Sequence, residues 1–345
     1  MENIRIKKLD CGVRVVTEKI NHVNSAAIGI WVRNGAVDEY KEVAGISHFI
    51  EHMMFKGTHK RSAKQIAEDV DRIGGQMNAF TGKEATCYYV KSLNTHLFDG
   101  AEVLLEMLNE SVFDSHEMTK ERKVICEEIK MIEDQPDDLA QDKVMEMVFR
   151  GSPLGNSVIG TPTSLKKITR PVITEYKKKT YTRDSIVVSV AGNIDEEKIY
   201  AYLEDKFEKL LPEKERAAMD IGQNAPDCKV IVKDIQQSHI CMATKTIALD
   251  DPRYYSFAVL NNVMGGSMSS RLFQNIREQR GLVYSISAGH SAYINTGVFD
   301  ISAGMSPESL GEVAHLISKE INTIKRNKLT SAEITKAKEQ LKGNY

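Results

Sequence analysis

The chain has 345 residues, 41% of them hydrophobic and 27% charged, a balance that fits a soluble globular protein of about two domains. Its formal net charge of −2 gives no excess of positive charge to hold nucleic acid or an anionic membrane surface. No apolar run approaches the length of a membrane span, so neither nucleic acid nor membrane is expected as a partner.

In chain order, the N-terminus lacks an apolar stretch of signal-peptide length, which sets a cytoplasmic expectation. The five cysteines (Cys11, Cys87, Cys126, Cys228 and Cys241) are scattered, form no C-x-x-C pair and read as reduced thiols. Residues 13–17 and 26–33 are rich in β-branched residues and read as strands, the second closed by Asn34-Gly35. The stretch 46–56, free of Gly and Pro, carries apolar residues at helical intervals. A second helix follows Ser62 and stops at Gly74-Gly75, a short strand fits 76–81, and Thr86, Tyr88 and Val90 alternate in a further strand over 84–90. Amphipathic helices are predicted over 97–109 and from Thr119, as N-cap, to about Asp134, with Pro136 as a break. Helical segments continue at 144–149 and 173–179, a buried strand at 185–191, and a helix at 196–211.

Residues 212–227 are polar and bracketed by prolines, and form the best linker in the chain. Beyond it the programme restarts: 229–232 answers the first strand and 239–247 the second. The helix pair leading through Glu121 to Glu128 is echoed by the pair leading through Glu333 to Gln340, 212 positions later. This self-similarity predicts an α+β protein of two homologous domains, 1–211 and 228–345, joined by the linker at 212–227. Each domain is expected to be an antiparallel-rich sheet with helices on one face. The echo ends inside a helical stretch, so the second domain is expected to be truncated at its C-terminus and the chain to be a fragment.

The chemistry lies in His48-Phe-Ile-Glu51-His52. On a helix, two imidazoles four residues apart share a face and can grip one zinc ion, with Glu51 placed to take a proton from its water. The pattern H-x-x-E-H reverses the H-E-x-x-H of zinc-dependent proteases. A third ligand is needed, and spacing alone does not choose it: Glu121, Glu127, Glu128 and Glu133 are all available, with Glu121 and Glu128 seven apart on one face. The second half has no such motif, reading Asn261-Asn-Val-Met-Gly-Gly266 at the equivalent place, and Gln340 where Glu128 stands.

These residues carry a resemblance. Val32-Arg-Asn-Gly35, the block 45–58, Gly75-x-x-Asn78-Ala79-x-Thr81 and Glu121/Glu128 recur in order in the pitrilysin (insulinase, M16) family of metallopeptidases. So do Pro153-Leu-Gly155, Gly160-Thr161, Ala191-Gly-Asn193, the block 265–273 and the stretch 276–284. The chain resembles the two-domain branch that includes the mitochondrial processing peptidases and bacterial zinc peptidases. The resemblance implies one zinc ion per chain on His48, His52 and Glu128, with Glu121 in support and Glu51 as general base. It implies Arg277 and Tyr284 for substrate and oxyanion, with Arg271 a rival for the arginine role. Strand 76–81 resembles the edge strand to which a peptide substrate adds, with Asn78, Ala79 and Phe80 in contact; Asn78 reads equally as a turn residue after Gly75. The implied activity is a zinc-dependent endopeptidase acting on peptides or unfolded polypeptides, as a homodimer or paired with a related M16 subunit; the lack of a transit peptide favours a bacterial-type, cytoplasmic enzyme. The alternative is a non-catalytic subunit that binds substrate within a peptidase complex.

Overall fold

The computed structural model describes residues 4–204, 206–207, 210, 221–222 and 225–344. Strands β1 (Ile4–Lys8), β2 (Arg14–Lys19) and β3 (Ser25–Val32) precede helices α1 (Ile46–Met54) and α2 (Ala63–Arg72). Then come β4 (Gln76–Thr81), β5 (Thr86–Leu93), α3 (Leu97–Glu110), α4 (Ser115–Asp134) and α5 (Pro136–Val148). The chain continues through α6 (Pro162–Leu165), α7 (Arg170–Thr180), β6 (Ile186–Gly192) and α8 (Glu196–Leu203). It ends with β7 (Ser238–Thr246), α9 (Tyr254–Gly265), a π-helical turn at Phe273–Glu278, β8 (Val283–Ala292), β9 (Gly297–Met305), α10 (Leu310–Asn327) and α11 (Ser331–Asn344). The fold is mixed α+β.

Two compact units form, Met1–Lys130 with Asn156–Ala218 and Met131–Gly155 with Met219–Tyr345. The first is built on a six-stranded sheet of order β1-β2-β6-β3-β5-β4. All neighbours are antiparallel except β2 and β6. Strand alternation decides which face is covered: Ala26, Ile28, Ile30 and Val32 of β3 and Ile186, Val188 and Val190 of β6 are buried. They meet Ile46, Phe49, Ile50 and Met53 of α1 and the apolar side of α3 in one core.

The second unit has a three-stranded antiparallel sheet, β7-β9-β8. Ile286 of β8 and Ile301 and Ala303 of β9 share a core with Met264 of α9 and Val313 and Ile317 of α10. Segment Met131–Gly155 groups with this unit and not with the 1–211 stretch around it, because α5 lies against β7 and β9. There Gln141 Oε1 accepts hydrogen bonds from Cys241 Sγ at 3.0 Å and Ser302 Oγ at 3.4 Å.

Four local expectations change. Residues 229–232 are not a strand: Val230 and Val232 are 82% and 91% exposed, and no strand is hydrogen-bonded to them among the described residues. Helix α4 starts at Ser115, where Asp114 accepts from the backbone N–H of His116 and Glu117, while Thr119 sits inside and donates to Ser115 O. The break expected at Pro136 is there, α4 ending at Asp134, but Pro136 opens α5 at its first turn, where a missing N–H costs nothing, so the next helix begins there and not at 144. The helix expected over 196–211 ends at Leu203, and part of that range, like most of the linker 212–227, lies outside the described residues. No described helix is long and apolar enough to cross a membrane.

Candidate metal centre

Helix α1 is amphipathic in a way that sorts its residues. Ile46, Phe49, Ile50, Met53 and Met54 are buried in the core, which leaves His48, Glu51 and His52 half-buried on the remaining face. Its start is fixed by close approach. Gly45 has φ of +89°, and a Cβ there would meet Ile159 O at 2.6 Å. Gly160 has φ of +73°, and its Cβ would meet Ala44 O at 2.2 Å. Glycine is therefore required on both sides of this contact. Glu39 caps the helix entrance, accepting from Gly45 N at 2.6 Å and Ser47 N at 2.8 Å. Burial pushes its carboxyl up to about 7 against those two hydrogen bonds.

Helix α4 brings two carboxylates to this face. Glu128 Oε2 lies 3.8 Å from His48 Nε2, and its Oε1 lies 3.6 Å from His52 Nε2. One donor atom from each of the three residues falls within 4.8 Å of the others. These gaps exceed hydrogen-bonding distance and approach the edge, about 3.3 Å, of a tetrahedron with metal–ligand bonds near 2.0 Å. Two imidazoles and a carboxylate are a zinc donor set with room for a water. Burial, reinforced by His52, lowers His48 to about 4, which keeps it in the neutral form a metal requires. The buried Nδ1 of His48 has no hydrogen-bond partner among the described residues. The residues present therefore fit the ion.

His52 is oriented from behind. Its Nδ1 sits 3.0 Å from Glu121 Oε2, and Lys56 Nζ sits 2.8 Å from Glu121 Oε1. Burial of Glu121 works against its charge, but Lys56 and His52 hold the carboxyl below its ordinary range. A carboxylate on the far nitrogen of a ligating histidine fixes its tautomer, leaving Nε2 free to bind. Glu51, on the same face, accepts a hydrogen bond from Thr81 Oγ1 of β4. Burial raises its pKa, opposed by Thr81 and His52.

Of the four candidate third ligands, Glu128 joins the histidines and Glu121 stands behind His52. Glu127 points away to pair with Lys130 at 2.8 Å, and Glu133 is exposed. Asn78, Ala79 and Phe80 lie on β4, the last strand of its sheet, and Asn78 Oδ1 accepts from Ala79 N at 2.8 Å. Arg277 and Tyr284 belong to the second unit. Arg277 lies in the π-helical turn, its guanidinium 4.6 Å from the ring centre of Phe273, and Tyr284 is 75% exposed. Arg271, the rival, is committed within that unit to Glu333 at 2.6 Å and Glu320 at 3.1 Å. Sequence reading missed Lys56, Thr81 and Glu39. Lys56 carried a signal, standing one helical turn beyond His52.

Residues 14–162 match the model of the insulinase family (peptidase family M16), and residues 167–341 match the peptidase M16 inactive domain. The chain is 41% identical to the uncharacterized zinc protease YmxG of Bacillus subtilis, over 98% of this chain and 83% of that protein. It is 36% identical to an uncharacterized zinc protease of Streptomyces coelicolor, over 99% of this chain and 76% of that protein. The solved structure of a peptidase M16 inactive domain from Pseudomonas fluorescens shares the fold, with a TM-score of 0.91 at 20% identity, covering 99% of this chain and 84% of that one.

Proposed function

This chain belongs to the insulinase (M16) family of peptidases, and from that premise we propose that it is a zinc-dependent endopeptidase hydrolysing peptides or unfolded polypeptides. The observation that carries the reading is the approach of His48, His52 and Glu128, within 4.8 Å of one another, beside a carboxylate they do not use. The names of the bacterial relatives as zinc proteases support the metal and the reaction class.

His48 and His52 would hold one zinc ion per chain through their Nε2 atoms, and Glu128 through its carboxylate. Zinc bound there would supply a Lewis acid for the scissile carbonyl and lower the pKa of a bound water. Glu121 keeps Nε2 of His52 unprotonated for that bond. Glu51 accepts the proton of the attacking water and delivers it to the leaving amine. An extended peptide adds to the open edge of β4 beside Asn78, Ala79 and Phe80, through main-chain hydrogen bonds that do not depend on its sequence. Arg277 and Tyr284 are assigned to the substrate and the oxyanion by the family resemblance. The same resemblance supports action as a homodimer or with a related M16 subunit.

The test is cleavage of an internally quenched peptide by protein stripped with a chelator and then reloaded with zinc. Loss on stripping and recovery at one zinc per chain supports the reading. A protein that binds one zinc yet cleaves nothing favours the non-catalytic subunit instead.

A further inference from the structure

Strand β4 alternates strictly: Met77, Ala79 and Thr81 are half-buried on the side of α1, while Gln76, Asn78 and Phe80 are exposed on the other face. Its pairing with β5 also settles which main-chain groups point away from β5. Gly82 N donates to Ala85 O at the turn, and the register pairs Thr81 with Thr86 and Ala79 with Tyr88. In an antiparallel ladder hydrogen-bonded and non-hydrogen-bonded pairs alternate, so Thr81, Ala79 and Met77 turn their N–H and C=O groups toward the open edge. The Ala79 N–H agrees, since it is satisfied by the Asn78 side chain and not by β5. The residues whose side chains face α1 are thus the ones whose main chain faces the sheet edge, where the Ala79 N–H is held by Asn78.

Thr81 joins the two directions in one residue. Its main chain lies on the open edge, and its hydroxyl donates to Glu51 Oε2. A β-branched side chain has a stiff first torsion, so the hydroxyl is fixed to the strand, whereas glutamate on its own has three torsions to wander through. We infer that Thr81 is a positioning residue for Glu51, holding one carboxylate oxygen so that the other faces the attacking water, and tying the base to the strand on which the peptide docks. This rests on the reading of Glu51 as general base and of β4 as the docking edge.

The experiment compares Thr81→Val, which keeps the shape and removes the donor, with Thr81→Ser, which restores it. Each is made with and without Glu51→Gln, and each is measured for zinc affinity and for kcat and KM on a quenched peptide. Thr81→Val is expected to bind zinc and peptide within about threefold of wild type while kcat falls about 10- to 100-fold, part of what a general base contributes. Thr81→Ser should recover kcat to within about threefold, and adding Thr81→Val to Glu51→Gln should cost nothing further, because both remove the same act. Thr81→Val with unchanged kcat, or with its loss confined to zinc affinity or KM, overturns the positioning role while leaving Glu51 as base. A Glu51→Gln protein with wild-type kcat overturns the base itself, and that failure is recognised without reference to Thr81.

Discussion

Nδ1 of His52 lies 3.0 Å from Oε2 of Glu121, and the other oxygen of that buried carboxylate is held by Lys56 at 2.8 Å. The ammonium fixes the carboxylate, the carboxylate fixes the imidazole, and Nε2 is left to face Glu128. Glu121→Gln should therefore weaken zinc binding about 10- to 100-fold while the protein stays folded. Competition against a chromophoric chelator measures it, and unchanged affinity would show that His52 needs no orienting partner.

Glu128 should behave differently. Among the described residues it supplies the carboxylate placed between both histidines, so Glu128→Gln removes a donor and does not merely loosen one. The expected loss of zinc affinity exceeds the roughly hundredfold upper range for an orienting residue. Metal analysis after dialysis should find zinc in wild type and little in the variant. Equal occupancy would move the third ligand elsewhere.

The start of the helix that carries His48 and His52 depends on glycine contacts. At Gly160 an added methyl meets a backbone oxygen at 2.2 Å with φ at +73°, whereas at Gly74, φ +59°, nothing lies within 4 Å. Gly160→Ala should cost about 2–4 kcal/mol, strain and overpacking together. Gly74→Ala should cost only the backbone strain, about 1–2 kcal/mol. Urea denaturation of both variants checks the order, and equal costs would mean that the Ala44–Gly160 contact relaxes freely.

Glu39 predicts a pH dependence of stability. Burial raises its carboxyl from 4.5 to about 7, so between those values the folded chain holds a proton that the unfolded chain has lost. Stability linked to this group is full below pH 4.5 and is lost as pH rises through 7. Glu39→Gln gives up one backbone acceptor at every pH but carries no buried charge. Its stability relative to wild type should therefore improve by about 3 kcal/mol between pH 4.5 and 8. Chemical denaturation at several pH values tests this; a gap that does not change with pH would contradict it.

Much of the fold was legible because its signals are local. The β-branched runs before Asn34, the capping box of Ser62 with Gln65 and the H-x-x-E-H turn each act over a few residues. What was missed depends on partners distant in sequence. Val230 and Val232 have strand-like propensity but no neighbouring strand, and propensity without pairing does not make a strand. Segment Met131–Gly155 joins the second unit through contacts of α5 with β7 and β9, which are far along the chain. The choice among Glu121, Glu127, Glu128 and Glu133 turned on how α4 approaches α1, which spacing within α4 does not contain. Asp114 was a different case. It stands three residues before Glu117, a local N-terminal helix signature that the reading of Thr119 as N-cap passed over.

The proposed chemistry turns on Glu51 as the base of a zinc peptidase whose metal would be held by His48, His52 and Glu128. The most direct measurement is cleavage of a quenched peptide by zinc-loaded wild type and Glu51→Gln, with the zinc content of each determined on the same samples. One zinc per chain is expected in both proteins, with a kcat in the variant lower by about 100-fold or more. Full cleavage by a Glu51→Gln protein carrying its zinc would contradict it.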